Sequence, residues 1–116
     1  AHRVIPATNI GNSLGLVREN MVHYLMLKLD CCRTAKWVFD LATETFSGLC
    51  KDTDYIKDAQ VLSNCIQRDG NADILIILQL KDKAALNQYL AHPVHIAFAK
   101  KVDPYLMKRT SFDWCK

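Results

Sequence analysis

No stretch of about 18 consecutive apolar residues occurs in the chain, so no helix long enough to span a bilayer is encoded. Concentrated positive charge is missing as well. Lys and Arg total 15 against 12 acids, the formal net charge is only +3, and the basic residues are scattered among the acidic ones. Nucleic-acid binders gather base on one face or arm, so neither a nucleic acid nor a membrane is expected as partner. Zinc-ligand spacing is also absent. The five cysteines, Cys31, Cys32, Cys50, Cys65 and Cys115, contain no C-x-x-C pair. An odd set of this kind reads as reduced thiols, mostly partly buried, in a reducing cytoplasm. No metal site and no cofactor are expected. The first residues lack the basic-then-apolar pattern of a secretion signal, although a mature chain would already have lost one.

What is present is enough apolar residue to fold. Half of the 116 residues are apolar, a globular composition, and the length suits one domain with a modest core. Residues 1–20 hold Asn9, Gly11, Asn12, Ser13 and Gly15 without sustained periodicity and read as an N-terminal arm. The domain proper is expected over residues 21–116. Val22 to Leu29 has the pattern of a strand, with His23, Leu25, Leu27 and Leu29 on one face and Val22, Tyr24, Met26 and Lys28 on the other. Thr34 is expected to cap a helix running to about Lys51. Its inward side would carry Trp37, Val38, Leu41, Ala42, Thr45 and Leu49, with Phe39 and Phe46 at the flank.

A weaker strand is expected within Tyr55 to Gln67, followed by the hairpin signal Asp69-Gly70 and a fully apolar strand over Ala72 to Leu80. Asp82 suits the cap of a short helix carrying Leu86, Tyr89 and Leu90. His92-Pro93 interrupts that helix and Pro93 opens the next, whose inward stripe would be Val94, His95, Phe98, Val102, Tyr105 and Leu106. Pro104 should kink or restart it, and Thr110 to Trp114 reads as a last strand. The order is β-α-β-β-α-β, an α+β, ferredoxin-like protomer with one antiparallel four-stranded sheet.

Both helices of such a protomer cover the same side of the sheet, so the other side should be polar on alternate residues. Here it is not. Val22, Tyr24 and Met26 on the first strand, and the run Ile74-Leu75-Ile76-Ile77-Leu78 on the third, leave an apolar second face. Each such side chain forgoes roughly 1.5–3 kcal/mol if it stays in water. A second copy of the chain, packed sheet against sheet, covers the face with one self-complementary surface. A homodimer through the sheet face is therefore expected. The alternative is that the arm lies across it.

The segment Tyr89-Leu90-Ala91-His92-Pro93-Val94-His95-Ile96-Ala97-Phe98 resembles the hallmark of the stress-responsive A/B barrel (Dabb) family. His23-Tyr24-Leu25-Met26-Leu27-Lys28 is similar to that family's opening strand, and Thr110 to Trp114 to its closing one. The resemblance spans most of Val22 to Trp114 and implies a dimeric α+β barrel, with an association to stress for some members. It also implies one chemistry. A plant branch, the olivetolic acid cyclase-type polyketide cyclases, closes rings in a pocket of each protomer with a Tyr and the second His of the Tyr…His-Pro-x-His element. These match Tyr89 and His95, and the opening-strand histidine matches His23. A further histidine that the branch carries on its third strand has no counterpart at Asp73-Ile74.

In that chemistry His95 is the base that removes a proton beside a carbonyl, and Tyr89 the donor to the developing oxyanion. Plainer roles stand beside these. His95 can be a core histidine bonded to a backbone carbonyl, Tyr89 a core aromatic with its hydroxyl paired, and His92 a helix cap. His23 can anchor the first strand to the opposite helix. Cys31 and Cys32 fall near a helix N-terminus, where a thiol can be acidified, but no resolving cysteine is spaced to serve them. Three functions remain open: a cytoplasmic homodimer with a small apolar pocket in each protomer, a cyclase or isomerase acting on a small carbonyl compound, and a purely structural assembly module.

Overall fold

Strict alternation sets the first element. Strand β1 (Met21–Leu29) turns Met21, Leu25, Leu27 and Leu29 inward, and all four are buried. It is seen in a computed structural model that describes residues 20–116; the expected arm, and with it the alternative that the arm covers the sheet, lies outside the described residues. The elements that follow are helix α1 (Cys32–Asp52), strands β2 (Ile56–Ser63) and β3 (Ile74–Leu80), helices α2 (Lys83–Ala91) and α3 (Pro93–Val102), a 3-10 turn (Asp103–Tyr105) and strand β4 (Leu106–Cys115). The four strands form one antiparallel sheet in the order β2-β3-β1-β4. This is the expected ferredoxin-like arrangement.

Helix α1 starts three residues earlier than expected. Cys31, in extended conformation, is its N-cap, and Thr34 lies inside the first turn with its hydroxyl 3.3 Å from the Cys31 sulfur. The buried stripe is Val38, Ala42, Phe46 and Leu49, so the helix is rotated relative to the expected face. Phe46 moves from flank to core, while Trp37 is turned outward onto Tyr105, ring centroids 5.6 Å apart. Asp82 caps α2 as expected, accepting from the Ala85 amide at 2.9 Å. Leu86 is half-buried and Leu90 exposed; the buried residues of α2 are Ala85 and Tyr89. On α3 Phe98 and Val102 are buried, whereas Val94 and Tyr105 are exposed.

The Asp69-Gly70 turn forms, closed by the Asn71 amide donating to the Arg68 carbonyl at 3.0 Å. It does not join two strands directly, because β2 ends at Ser63 and β3 begins at Ile74. The residues between are held by the Asn64 amide donating to the Asp73 carbonyl at 2.8 Å and by the side chains of Asn64 and Asn71, both donating to the Ile66 carbonyl. Pro104 breaks α3 into the 3-10 turn, and β4 begins at once after it, four residues before the expected start.

Register assigns the two faces. Residues paired across an antiparallel ladder project to the same side. The helix-covered side carries Leu25, Ile76 and Val61, and at the β4 edge Arg109, Ser111 and Asp113. The opposite side carries Gln60, Ile77, Tyr24 and Phe112 in one row, and Leu62, Leu75, Met26 and Thr110 in the next. Val22 and Ile77 on this side are buried, contrary to a uniformly bare face, but Met26 is 39% and Phe112 61% exposed. All five cysteines are unpaired, and four are exposed; only Cys50 is half-buried, so the expectation of mostly part-buried thiols is corrected.

Candidate functional site

The site begins at a helix break. His92 cannot continue α2 because Pro93 follows it, and it takes an extended conformation, φ −68° and ψ 133°. Its ring Nδ1 accepts from the Val94 amide at 3.0 Å, the capping role expected of it. The chain therefore folds back within one residue. That corner brings His95 over the end of α2, where its Nδ1 lies 3.1 Å from the Leu90 carbonyl oxygen.

A carbonyl oxygen only accepts, so Nδ1 carries the proton and donates. Nε2 is left as the free lone pair. Partial burial holds the imidazole below its ordinary pKa, the bond to Leu90 opposes that shift, and the charge of Arg109 adds to it. At neutral pH His95 is an uncharged base.

Tyr89 packs against it with ring centroids 4.4 Å apart. The same ring meets His23 at 5.9 Å and Phe46 at 6.1 Å. Tyr89 is fully buried, yet among the described residues its hydroxyl has no hydrogen-bond partner. Burial drives its pKa well above the usual phenol value, with the Arg109 charge opposing. It remains a neutral donor. An orphaned buried hydroxyl costs about 1–3 kcal/mol, and a fold that keeps one beside a base calls for an explanation.

His23 is buried on β1, and its partner is not on a helix as expected. It pairs with Asp113 on the neighbouring strand β4, Nδ1 to Oδ1 at 2.5 Å. The two face each other across the ladder. Tyr89, His95 and His23 are thus brought together. Arg109 was missed because the closing strand was expected to start at Thr110, while Asp113 lay inside that strand but was given no partner across the sheet. The third-strand position without a histidine is occupied by Ile74, fully buried, while the Asp73 carboxylate accepts from the Leu29 amide at 2.7 Å.

Beside this cluster lies a cavity of about 50 Å³, bordered by His95, Arg109, Leu25, Leu27, Phe98 and Val102 among others. Tyr89 is not part of its wall. A wider hollow of about 400 Å³ opens on the other face of the sheet, by Met26, Leu62 and Leu75, and holds none of the candidate residues. Among the described residues no group of three or more His, Cys, Asp or Glu is placed to hold a metal ion. No described helix is long and apolar enough to cross a membrane. The Cys31 thiol, hydrogen-bonded to Thr34, is held below its usual pKa, but it is remote in sequence from the cluster.

The strand order, the helices on one side and the apolar second face define a ferredoxin-like α+β protein. The model of the stress responsive A/B barrel domain, Dabb, matches residues 21–115, and the chain belongs to that family. Among solved structures, a dimeric protein of unknown function with a ferredoxin-like fold from Bacteroides fragilis superposes with a TM-score of 0.72. It is 18% identical, over 82% of this chain and 94% of that one. A Dabb family protein from Mesorhizobium loti gives 0.68 at 19% identity, covering 84% and 96%. The hydroxynitrile lyase of Passiflora edulis gives 0.69 at 12% identity, covering 86% and 95%. No curated protein matches the chain in sequence.

Proposed function

We propose that the protein acts as a homodimer, sheet against sheet, in which each protomer takes a small carbonyl compound beside His95 and moves a proton on it. The observation that carries this reading is the orphaned hydroxyl of Tyr89 next to an imidazole whose Nε2 is free. The two groups are pushed apart in pKa, the imidazole down and the phenol up. That separation assigns their roles: His95, on the cavity wall, takes a proton from the carbon beside the carbonyl, and Tyr89, whose hydroxyl lies off that wall, donates to the oxygen where the electron pair settles once a ligand opens the cavity as far as its ring. His23, held by Asp113, meets the same Tyr89 ring as a supporting group.

The likeness to a hydroxynitrile lyase supports the same class, since that protein also acts on a small molecule in this fold. Five unpaired thiols, four of them exposed, suit a reducing cytoplasm. The cavity admits only a small head group, and this favours a second reading, a barrel that serves assembly alone. The two are separated by assaying proton exchange beside the carbonyl of small β-keto esters, β-keto acids and short β-keto thioesters. Activity lost in His95→Ala and kept in Cys31→Ala supports the enzyme. A folded wild-type dimer inert toward such substrates leaves assembly.

A further inference from the structure

The geometry points to Arg109 as the anion-binding residue of the His95 cavity, and to a short keto acid as the class of compound the cavity takes. This rests on the pocket reading above and adds to it a charge requirement. Arg109 stands opposite Leu27 in the β1–β4 ladder and so projects to the helix-covered side of the sheet. There it borders the cavity together with His95. Most of the remaining wall is apolar, Leu25, Leu27, Phe98 and Val102. An apolar cavity with one cationic fork, one carboxylate and one base orients its ligand by a few polar groups.

Among the described residues no ion pair includes Arg109. A guanidinium presents parallel N–H donors that match a carboxylate in two-pronged fashion, and it stays charged at any working pH. Asp103, the other charged residue at the cavity, disfavours an anion near itself and so directs a carboxylate to Arg109. The charge of Arg109 also reaches the Tyr89 hydroxyl, favouring its ionised form, as it would favour negative charge developing on a ligand oxygen nearby.

Size narrows the class. One water needs about 10–15 Å³ measured in this way, so about 50 Å³ holds only a few heavy atoms. A three- or four-carbon keto acid meets both conditions: a carboxylate for Arg109, and a carbonyl with an acidic neighbouring C–H for His95.

Acetoacetate and its neutral methyl ester test this directly. Each is titrated into the dimer at pH 7.5 while the His95 ring resonances are followed by NMR, in the wild type, Arg109→Gln, Arg109→Lys and His95→Gln, the last serving to assign the signal. The expected result is binding of the acid about tenfold tighter than the ester. Arg109→Gln should abolish that preference without weakening the ester, and Arg109→Lys should retain part of it. Backbone spectra that superpose on the wild type establish that the variants are folded. Equal binding of acid and ester by the wild type, or a preference that survives in Arg109→Gln, overturns the role of Arg109 and leaves the pocket reading standing. Failure of both compounds to move the wild-type His95 signals brings down both.

Discussion

The ring of His95 lies 4.4 Å from that of Tyr89, although the two residues belong to different helices and a proline stands between them. The contact exists because His92-Pro93 ends α2 and starts α3 within one residue. A continuous helix would set residues 89 and 95 on diverging faces, six positions being far from a whole number of turns. The proline corner thus builds the site by breaking a helix.

Tyr89→Phe separates structure from function. It removes a buried hydroxyl without a partner and leaves the ring contacts to His23, His95 and Phe46 in place. Stability should hold or rise, by up to about 1–3 kcal/mol in urea unfolding, while proton transfer falls by at least tenfold. A loss of more than about 1 kcal/mol would show that the hydroxyl is paired in the folded protein and that the orphan reading is wrong.

The pH dependence of stability has a fixed sign. Burial lowers the pKa of His95 in the folded state from its ordinary 6.5. The unfolded chain therefore binds the proton first, and acid favours unfolding. The contribution of His95 is fully present above pH 6.5 and is lost as pH falls through the lower folded value. His95→Gln should flatten the stability profile in that window, read by denaturant midpoints at half-unit steps. A wild-type His95 that titrates above 6.5 by NMR contradicts the sign.

Much of this was legible in the sequence, and the misses share a cause. The alternation of Met21–Leu29, the proline corner and the Asp82 cap are local signals, and the structure follows them. The rotation of α1 is not local. Trp37 and Phe46 lie at comparable distances from the centre of the apolar arc, and the choice is made by packing: Phe46 meets Phe98 and Tyr89, elements that follow it in the chain, while Trp37 finds Tyr105 at the surface. Asp113 and Arg109 were hidden for a related reason. Their inward orientation is fixed by the register with β1, which sets Arg109 opposite Leu27 and Asp113 opposite His23, a long-range pairing that β4 alone does not announce.

The cross-strand pair His23–Asp113 gives a third test. The carboxylate accepts the Nδ1 proton and so fixes the ring with Nε2 free, but it is 39% exposed at the sheet edge. Its contribution to stability is accordingly small, about 1 kcal/mol or less. Asp113→Asn should leave the fold nearly as stable and release the tautomer, seen as a shift of proton occupancy between the two ring nitrogens in 15N spectra. An unchanged tautomer would mean that a group other than Asp113 holds the ring.

The sheet face decides whether the molecule works alone. Met26 and Phe112 stand exposed on the side away from the helices, flanking Tyr24, with Leu75 and Leu62 continuing the surface across β3 and β2. Burying the exposed part of such side chains is worth up to roughly 1.5–3 kcal/mol apiece, and two copies do so at once for both surfaces. Met26→Glu places a charge in the middle of that contact, where in a dimer it would meet apolar neighbours and, near a two-fold axis, its own copy. In the monomer the same side chain simply faces water, so the protomer itself should fold normally. Sedimentation at micromolar concentration is expected to give twice the 13.2 kDa chain mass for the wild type and a single chain for Met26→Glu. A wild type that sediments as one chain removes the dimer, and a Met26→Glu variant that still pairs moves the contact to another surface.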